Sequence, residues 1–293
     1  MFHNTADTTT TSNRLKTLYI SDLDGTLLNE QSAVSPASKA LLSRLITVDG
    51  ALFTVATART QATVTKLMEG IPAILPYIVM NGAGMWHAAD EHYTGRSPIA
   101  EQTVQQVVTI YEHRGIHPFV YRDHKGIIEA HHYTDLTPTE KAFIAQRTGT
   151  PYKHFVIDDD PYRTTGDNAL IIFSTNDFAR LEEVYHDILD AGIPCHAVCY
   201  HDIFNIRDGI LEVYAPGVTK AAAVAALKKR TNAGRLVVFG DNLNDREMMA
   251  LADHSVAVEN AVPELKEIAS EVIGPNSADS VAKWIEQDIK QSL

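Results

Sequence analysis

Apolar β-type runs alternate with helical stretches at both ends of this 293-residue chain, and the alternation stops in between. Near the start, Leu18 to Ile20 opens a run that ends at Asp22, and Ala51 to Ala56 and Tyr77 to Met80 follow as further runs. Between the first two, Ser35-Pro36 marks a helix start, with Ser as N-cap and Pro at the first helical position. Ala40, Leu41, Leu42, Leu45 and Ile46 then recur at helical spacing. A second helical stretch covers about Thr60 to Met68. After Pro216-Gly217 the rhythm returns: helix at Thr219 to Lys229, strand at Arg235 to Phe239, short helix at Leu243 to Ala252. Strands at Ser255 to Val258 and Glu271 to Ile273 and a closing helix at Ser277 to Asp288 complete it. Strand, helix, strand with short connections predicts parallel βαβ units.

The middle is different. From about Trp86 to Ile210 the chain is more polar and its elements are less regular. Eleven of the 13 histidines lie between His87 and His201. The expected fold is α/β: a Rossmann-like parallel-sheet core with helices on both faces, plus an inserted α+β cap domain. Residues 1–86 and 215–293 make the discontinuous core and 87–214 the cap; 1–14, with its run from Thr8 to Thr11, reads as a disordered leader.

A chain of this length suits two domains. Its net charge of -12 argues against a general binder of nucleic acid or anionic membrane, either of which needs a basic surface. Cys195 and Cys199, on one strand, would stand about 13 Å apart, beyond the reach of a disulfide. They read as free thiols of a reducing compartment. With no stretch of ~18 apolar residues and no apolar signal core, a cytoplasmic protein, monomer or weak homodimer, is expected.

Four polar sets fall where an apolar strand ends or a helix begins: Asp22-Leu-Asp24-Gly-Thr26, Thr57-Ala-Arg59, Lys220, and Gly240-Asp241-Asn-Leu-Asn244-Asp245. In open parallel sheets ligands bind at the carboxyl ends of strands. Asp22, Asp24 and Asp241 supply hard oxygen ligands with Lys220 as the expected nearby cation, so a shared metal is implied. Mg²⁺ suits carboxylates and waters and leaves places for a phosphate. Gly25 permits a tight turn, whose N–H groups could cradle phosphate oxygens. Asp22 is then a candidate nucleophile toward phosphorus. Asp24 would point to the same side if the strand persists, and could protonate the leaving oxygen and then activate water. Lys220 and the Thr57 hydroxyl would balance charge on the transferring group.

These residues resemble the haloacid dehalogenase superfamily of phosphohydrolases. "DLDGTLL" matches its first motif, Thr57 the second, Lys220 the third and "GDNLNDREMM" the fourth. "MNGA" (Met80 to Ala83), "EVYAPGVTK" and the length of the insert look like the Cof-type sugar-phosphatase branch, in which an α/β cap follows the third core strand. The resemblance covers nearly the whole chain. It implies Asp22 as nucleophile and metal ligand, and Asp24 as general acid/base whose main-chain carbonyl ligates Mg²⁺. Asp241 becomes the further ligand, and Asp245 supports the metal site. Asn244 would contact phosphate, and Thr57, Ala58, Asn81, Gly82 and Lys220 join it as substrate-binding positions. Ala58 and Ala221 depart from the family's usual glycines.

The implied function is a Mg²⁺-dependent phosphomonoesterase acting on a small phosphorylated metabolite, a sugar phosphate for choice, through an aspartyl-phosphate. The rivals are a phosphosugar mutase, and a silent metabolite-binding regulatory protein that would have no need of Asp24. Arg59 reads as structural. Cys195-His196 with Cys199 and His201 match no common structural zinc spacing. The cap is expected to select substrate, with His201, Asp202 and Asn205 as candidates.

Overall fold

The computed structural model describes residues 16–158, 168–202 and 206–292; the leader expected over 1–14 and the candidate Asn205 lie outside them. Five parallel strands form the central sheet, in the order Glu271–Ile273, His254–Val258, Arg235–Gly240, Thr17–Ser21, Leu52–Val55. Thr17–Ser21 lies between strands drawn from opposite ends of the chain: Tyr19 pairs with Val237 on one side and Phe53 on the other. Such a strand is covered on both faces, which is why it reads as an apolar run rather than an alternation. Leu18 and Ile20 are fully buried.

Successive side chains on a strand point to opposite faces. The Tyr19 hydroxyl donates to Asp288 on the helix Ser280–Gln291, while Asp22, on the other parity, meets Lys220, the first residue of the helix Lys220–Thr231. Helices therefore flank both faces. Their starts follow capping chemistry: the Ser35 hydroxyl accepts from the Ser38 N–H at 3.0 Å and the Thr219 hydroxyl from Ala222 N–H at 3.0 Å.

The run at Tyr77 behaves differently from the expectation of a third parallel strand. Tyr77–Val79 touches the central sheet through a single parallel bridge, Ala56 to Ile78. It then heads a separate antiparallel sheet with Gly84–His87 and His92–Arg96. The cause is local: Met80 and Asn81 take φ of 52° and 50°, and Gly82 101°, so the chain folds back at once. Gly82 is required there, since a Cβ would stand 2.4 Å from the Thr219 carbonyl oxygen.

A six-stranded sheet occupies the middle of the chain, in the order His196–His201, Asp208–Tyr214, Ala169–Asp177, Phe119–His124, Ile127–His132, Lys153–Ile157. All neighbours are antiparallel except the last pair. The edge strand Lys153–Ile157, polar at Lys153 and His154 before its apolar end, escapes sequence reading, whereas the edge strand His196–His201 carries Cys199 on a strand as expected. One face holds the helix Glu101–His113, whose Tyr111 hydroxyl meets Ser174 at 2.8 Å. On the opposite face Phe143 of the helix Pro138–Arg147 stacks on Phe173, and Glu212, paired with Phe173, lies on that same face. Asn81 from the core donates to Glu212 at 3.2 Å, so this second face turns toward the core.

Candidate active site

The strand Thr17–Ser21 ends one residue before Asp22, whose N–H is anchored by the Phe239 carbonyl at 3.0 Å. The chain does not continue extended. Leu23–Leu27 closes into a tight turn around Gly25 at φ 79°. A Cβ on Gly25 would lie 2.2 Å from Asp241 Oδ2, so a glycine lets the first loop and the loop after Arg235–Gly240 meet. Thr26 donates to Asp241 Oδ1 at 3.1 Å and Asn260 to the Gly25 carbonyl at 2.7 Å.

One oxygen each from Asp22, Asp241 and Asp245 lies within 4.8 Å of the other two. Lys220 Nζ donates to Asp22 Oδ1 at 2.6 Å and Asp245 Oδ1 at 2.8 Å, with all three side chains buried. The other oxygen of Asp245 accepts from the N–H groups of Asp241 at 3.1 Å and Asn242 at 3.3 Å. Asp245 thus holds the loop in shape as well as facing the cluster.

Burial, reinforced by Asp245 and opposed by Lys220, pushes the Asp22 carboxyl well above the usual carboxylate range. Burial and the charge of Asp245 push Asp241 up to about 6. For Lys220, burial is outweighed by Asp22 and Asp245, and the ammonium is held above its ordinary value. Three carboxylates against one ammonium leave an excess of negative charge, which is costly in a buried site. The donor set is therefore that of a hard divalent cation. Asp22, Asp241 and Asp245 would hold it, and oxygen-only ligands fit Mg²⁺.

The Asp24 carboxylate is not in this cluster, because the turn carries it away from the Asp22 face. It is 52% exposed and is clasped by Arg59, whose Nε and terminal nitrogen donate at 2.7 and 2.6 Å. An exposed pair contributes little stability; its fork geometry fixes orientation instead. The Thr57 hydroxyl is buried and accepts from the Arg59 N–H at 3.1 Å, so Thr57 and Asp24 are linked through Arg59. Ala58 lies between them, partly exposed. Asn244 is exposed on the turn Leu243–Asp245. The Asn81 amide goes to Glu212 and to the Tyr214 hydroxyl, at 3.2 and 3.1 Å, and thus ties the core to the cap. His201, a candidate substrate selector, stacks on Phe178 and bonds the Ile206 carbonyl.

A family model described as haloacid dehalogenase-like hydrolase matches residues 19–285. The chain belongs to that family. Within it the chain is a Cof-type phosphatase. It is similar to the 5-amino-6-(5-phospho-D-ribitylamino)uracil phosphatase YwtE of Bacillus subtilis, 26% identical over 91% of this chain and 96% of that one. It is also similar to the pyridoxal phosphate phosphatase YbhA of Escherichia coli, 24% identical over 90% and 95%. Among solved structures, a haloacid dehalogenase-like hydrolase from Bacteroides thetaiotaomicron superposes with a TM-score of 0.74. It is 20% identical over 94% of this chain and all of that one.

Arg59, read from the sequence as structural, forms an ion pair with Asp24, 35 residues away. One group escaped sequence reasoning. Glu212 sits in the apolar stretch Leu211 to Tyr214 and reads as a strand residue. It is buried, and burial raises its carboxyl to about 7 against the donors Tyr214, Tyr200 and Asn81. No helix among the described residues is long and apolar enough to cross a membrane.

Proposed function

We propose that this phosphatase is Mg²⁺-dependent and hydrolyses a small phosphorylated metabolite, with a sugar phosphate as the expected class, through an aspartyl-phosphate on Asp22. The observation that carries this reading is the cluster of Asp22, Asp241 and Asp245 at the strand ends, with Asp22 and Asp245 buried and bridged by Lys220 and Asp241 partly buried beside them. Bound there, Mg²⁺ would neutralise the excess carboxylate charge and that of the phosphate oxygens.

An Asp22 oxygen attacks phosphorus as the bond to the leaving oxygen breaks, and Asp24 gives that oxygen a proton. Asp24 then takes a proton from water, the water oxygen attacks phosphorus, and the bond to Asp22 breaks with release of phosphate. Lys220 keeps Asp22 oriented and offsets the charge on the transferring group. Asp24 accepts two hydrogen bonds from Arg59, so giving its proton to the leaving oxygen requires that clasp to loosen. Thr57 steadies the Arg59 backbone, and the exposed Asn244 is available to a phosphate oxygen. Ala58 and the Gly82 turn shape the approach between them. The two curated relatives are named for different phosphate esters, so neither substrate is carried over.

The test is phosphate release from a panel of phosphorylated metabolites. EDTA should abolish release and Mg²⁺ should restore it. Ca²⁺ should restore it poorly, because its larger and looser coordination misplaces the phosphate. Full activity in demetallated protein contradicts the reading. Conversion of a sugar phosphate to its isomer without free phosphate would favour the mutase reading.

A further inference from the structure

If the phosphate of the substrate lies at the strand ends, its other end faces the cap, and the core-facing side of the cap sheet carries an unusual set of charges. Lys153 is only 6% exposed, and its ammonium donates to the Tyr121 hydroxyl at 2.8 Å. It also lies over the rings of Tyr121, Phe155 and Phe143, at 4.1, 5.0 and 5.4 Å. Burial, reinforced by the charge of Arg147, lowers Lys153 to about 7. Arg147 ends the helix Pro138–Arg147. Its guanidinium covers Phe143 at 4.0 Å and, among the described residues, bonds the Phe143 carbonyl and the Gln146 side chain, at 3.3 and 3.2 Å. Arg59 repels Arg147 electrostatically, and Asp202 attracts it. That field joins the cap cations to the strand-end site.

Buried cations ordinarily have a paired anion, because an unpaired charge in an apolar site is costly. Lys153 is such a buried cation and Arg147 is half-buried, and among the described residues neither is joined to a carboxylate by an ion pair. Aromatic faces offset part of the desolvation, but they do nothing for the repulsion among Lys153, Arg147 and Arg59. A third feature points the same way. The Tyr121 hydroxyl is buried and accepts from Lys153, and its own proton has no acceptor among the described residues. An ammonium behind the oxygen strengthens that proton as a donor.

We propose that Lys153, Arg147 and Tyr121 form a second anion subsite, and that the preferred substrate is a phosphomonoester carrying a further carboxylate or phosphate group. This rests on the phosphatase reading for the placement of the first phosphate. In the subsite, Arg147 meets the second anion directly and Tyr121 donates its free proton. Lys153, behind Tyr121, polarises that donor and supplies the remaining charge.

The test reads binding without turnover, by calorimetry on Asp22→Asn protein with Mg²⁺. 3-Phosphoglycerate is compared with glycerol 3-phosphate, which has a hydroxymethyl in place of the carboxylate. Fructose 1,6-bisphosphate is compared with fructose 6-phosphate, which lacks the second phosphate. The two-anion member of at least one pair should bind tenfold or more tightly, and the pair that responds identifies the group. Lys153→Met and Arg147→Gln, each added to that protein, should shrink the ratio at least threefold. Arg147→Lys should retain most of it, which a misfolded cap would not do. No preference in either pair, or a preference that Lys153→Met and Arg147→Gln leave intact, overturns the proposal. Failure of the wild-type enzyme to release phosphate from any ester contradicts the phosphatase reading instead, and leaves the binding ratio to judge the subsite.

Discussion

Asp22→Asn should lower kcat by about 10³-fold or more while the protein stays folded, since losing a nucleophile that acts with its partners as a unit costs several orders of magnitude. The amide nitrogen replaces an oxygen that faces both Lys220 and the other carboxylates. An amide is a poor nucleophile toward phosphorus and a weaker ligand for a hard cation. It also lifts one charge from an overcharged cluster, so the fold should be no less stable without metal. Steady-state phosphate release, with a thermal melt of the same sample, checks both halves. Activity above about one percent of wild type contradicts the role given to Asp22.

Lys220→Met should be the most destabilising single change at the site. The ammonium is buried between Asp22 and Asp245, with bonds of 2.6 and 2.8 Å to them. Removing one partner of a buried pair leaves uncompensated charge and costs about 3–5 kcal/mol. Methionine fills much of the volume, so the loss measures charge rather than a cavity. The deficit, read from denaturant midpoints of metal-free protein at neutral pH, should shrink as pH falls. The sign follows from the raised carboxyl of Asp22: without Lys220 it rises further, so protonation relieves the strain progressively from neutral pH downward. Mg²⁺ should offset part of the loss, and turnover should fall as well, because the transferring group loses its cation. Equal stability of variant and wild type at neutral pH contradicts the buried-pair account.

The core and its carboxylates were legible in the sequence for a physical reason. Strands such as Leu18 to Ile20, buried on both faces, must be continuously apolar, and an acidic residue at their end stands out. Lys220 and Asp241 are marked in the same way by a helix start and a strand end. What was not legible depends on contacts far apart in the chain. Asp24 read as a neighbour of Asp22 because a strand was extended through it, whereas Gly25 turns the chain and hands the carboxylate to Arg59. Tyr77 to Met80 read as a third parallel strand, because nothing local announces that Met80 and Asn81 adopt positive φ. Lys153 gave no signal at all. It lies on an edge strand of mixed composition, and its burial comes from Phe143 on a separate helix and Tyr121 on a distant strand.

The most direct measurement is chemical trapping of the intermediate. Wild-type enzyme turning over a phosphate ester with Mg²⁺ is quenched in acid, and its acyl phosphates are reduced with borohydride, which converts a phosphorylated aspartate to homoserine. Mass analysis of the peptide spanning Tyr19 to Glu30 should then find homoserine at Asp22 and unmodified aspartate at Asp24, with no trapped residue when EDTA is present. Modification at Asp24, Asp241 or Asp245 in place of Asp22, or turnover with no trappable acyl phosphate, would contradict the assignment of Asp22 as nucleophile.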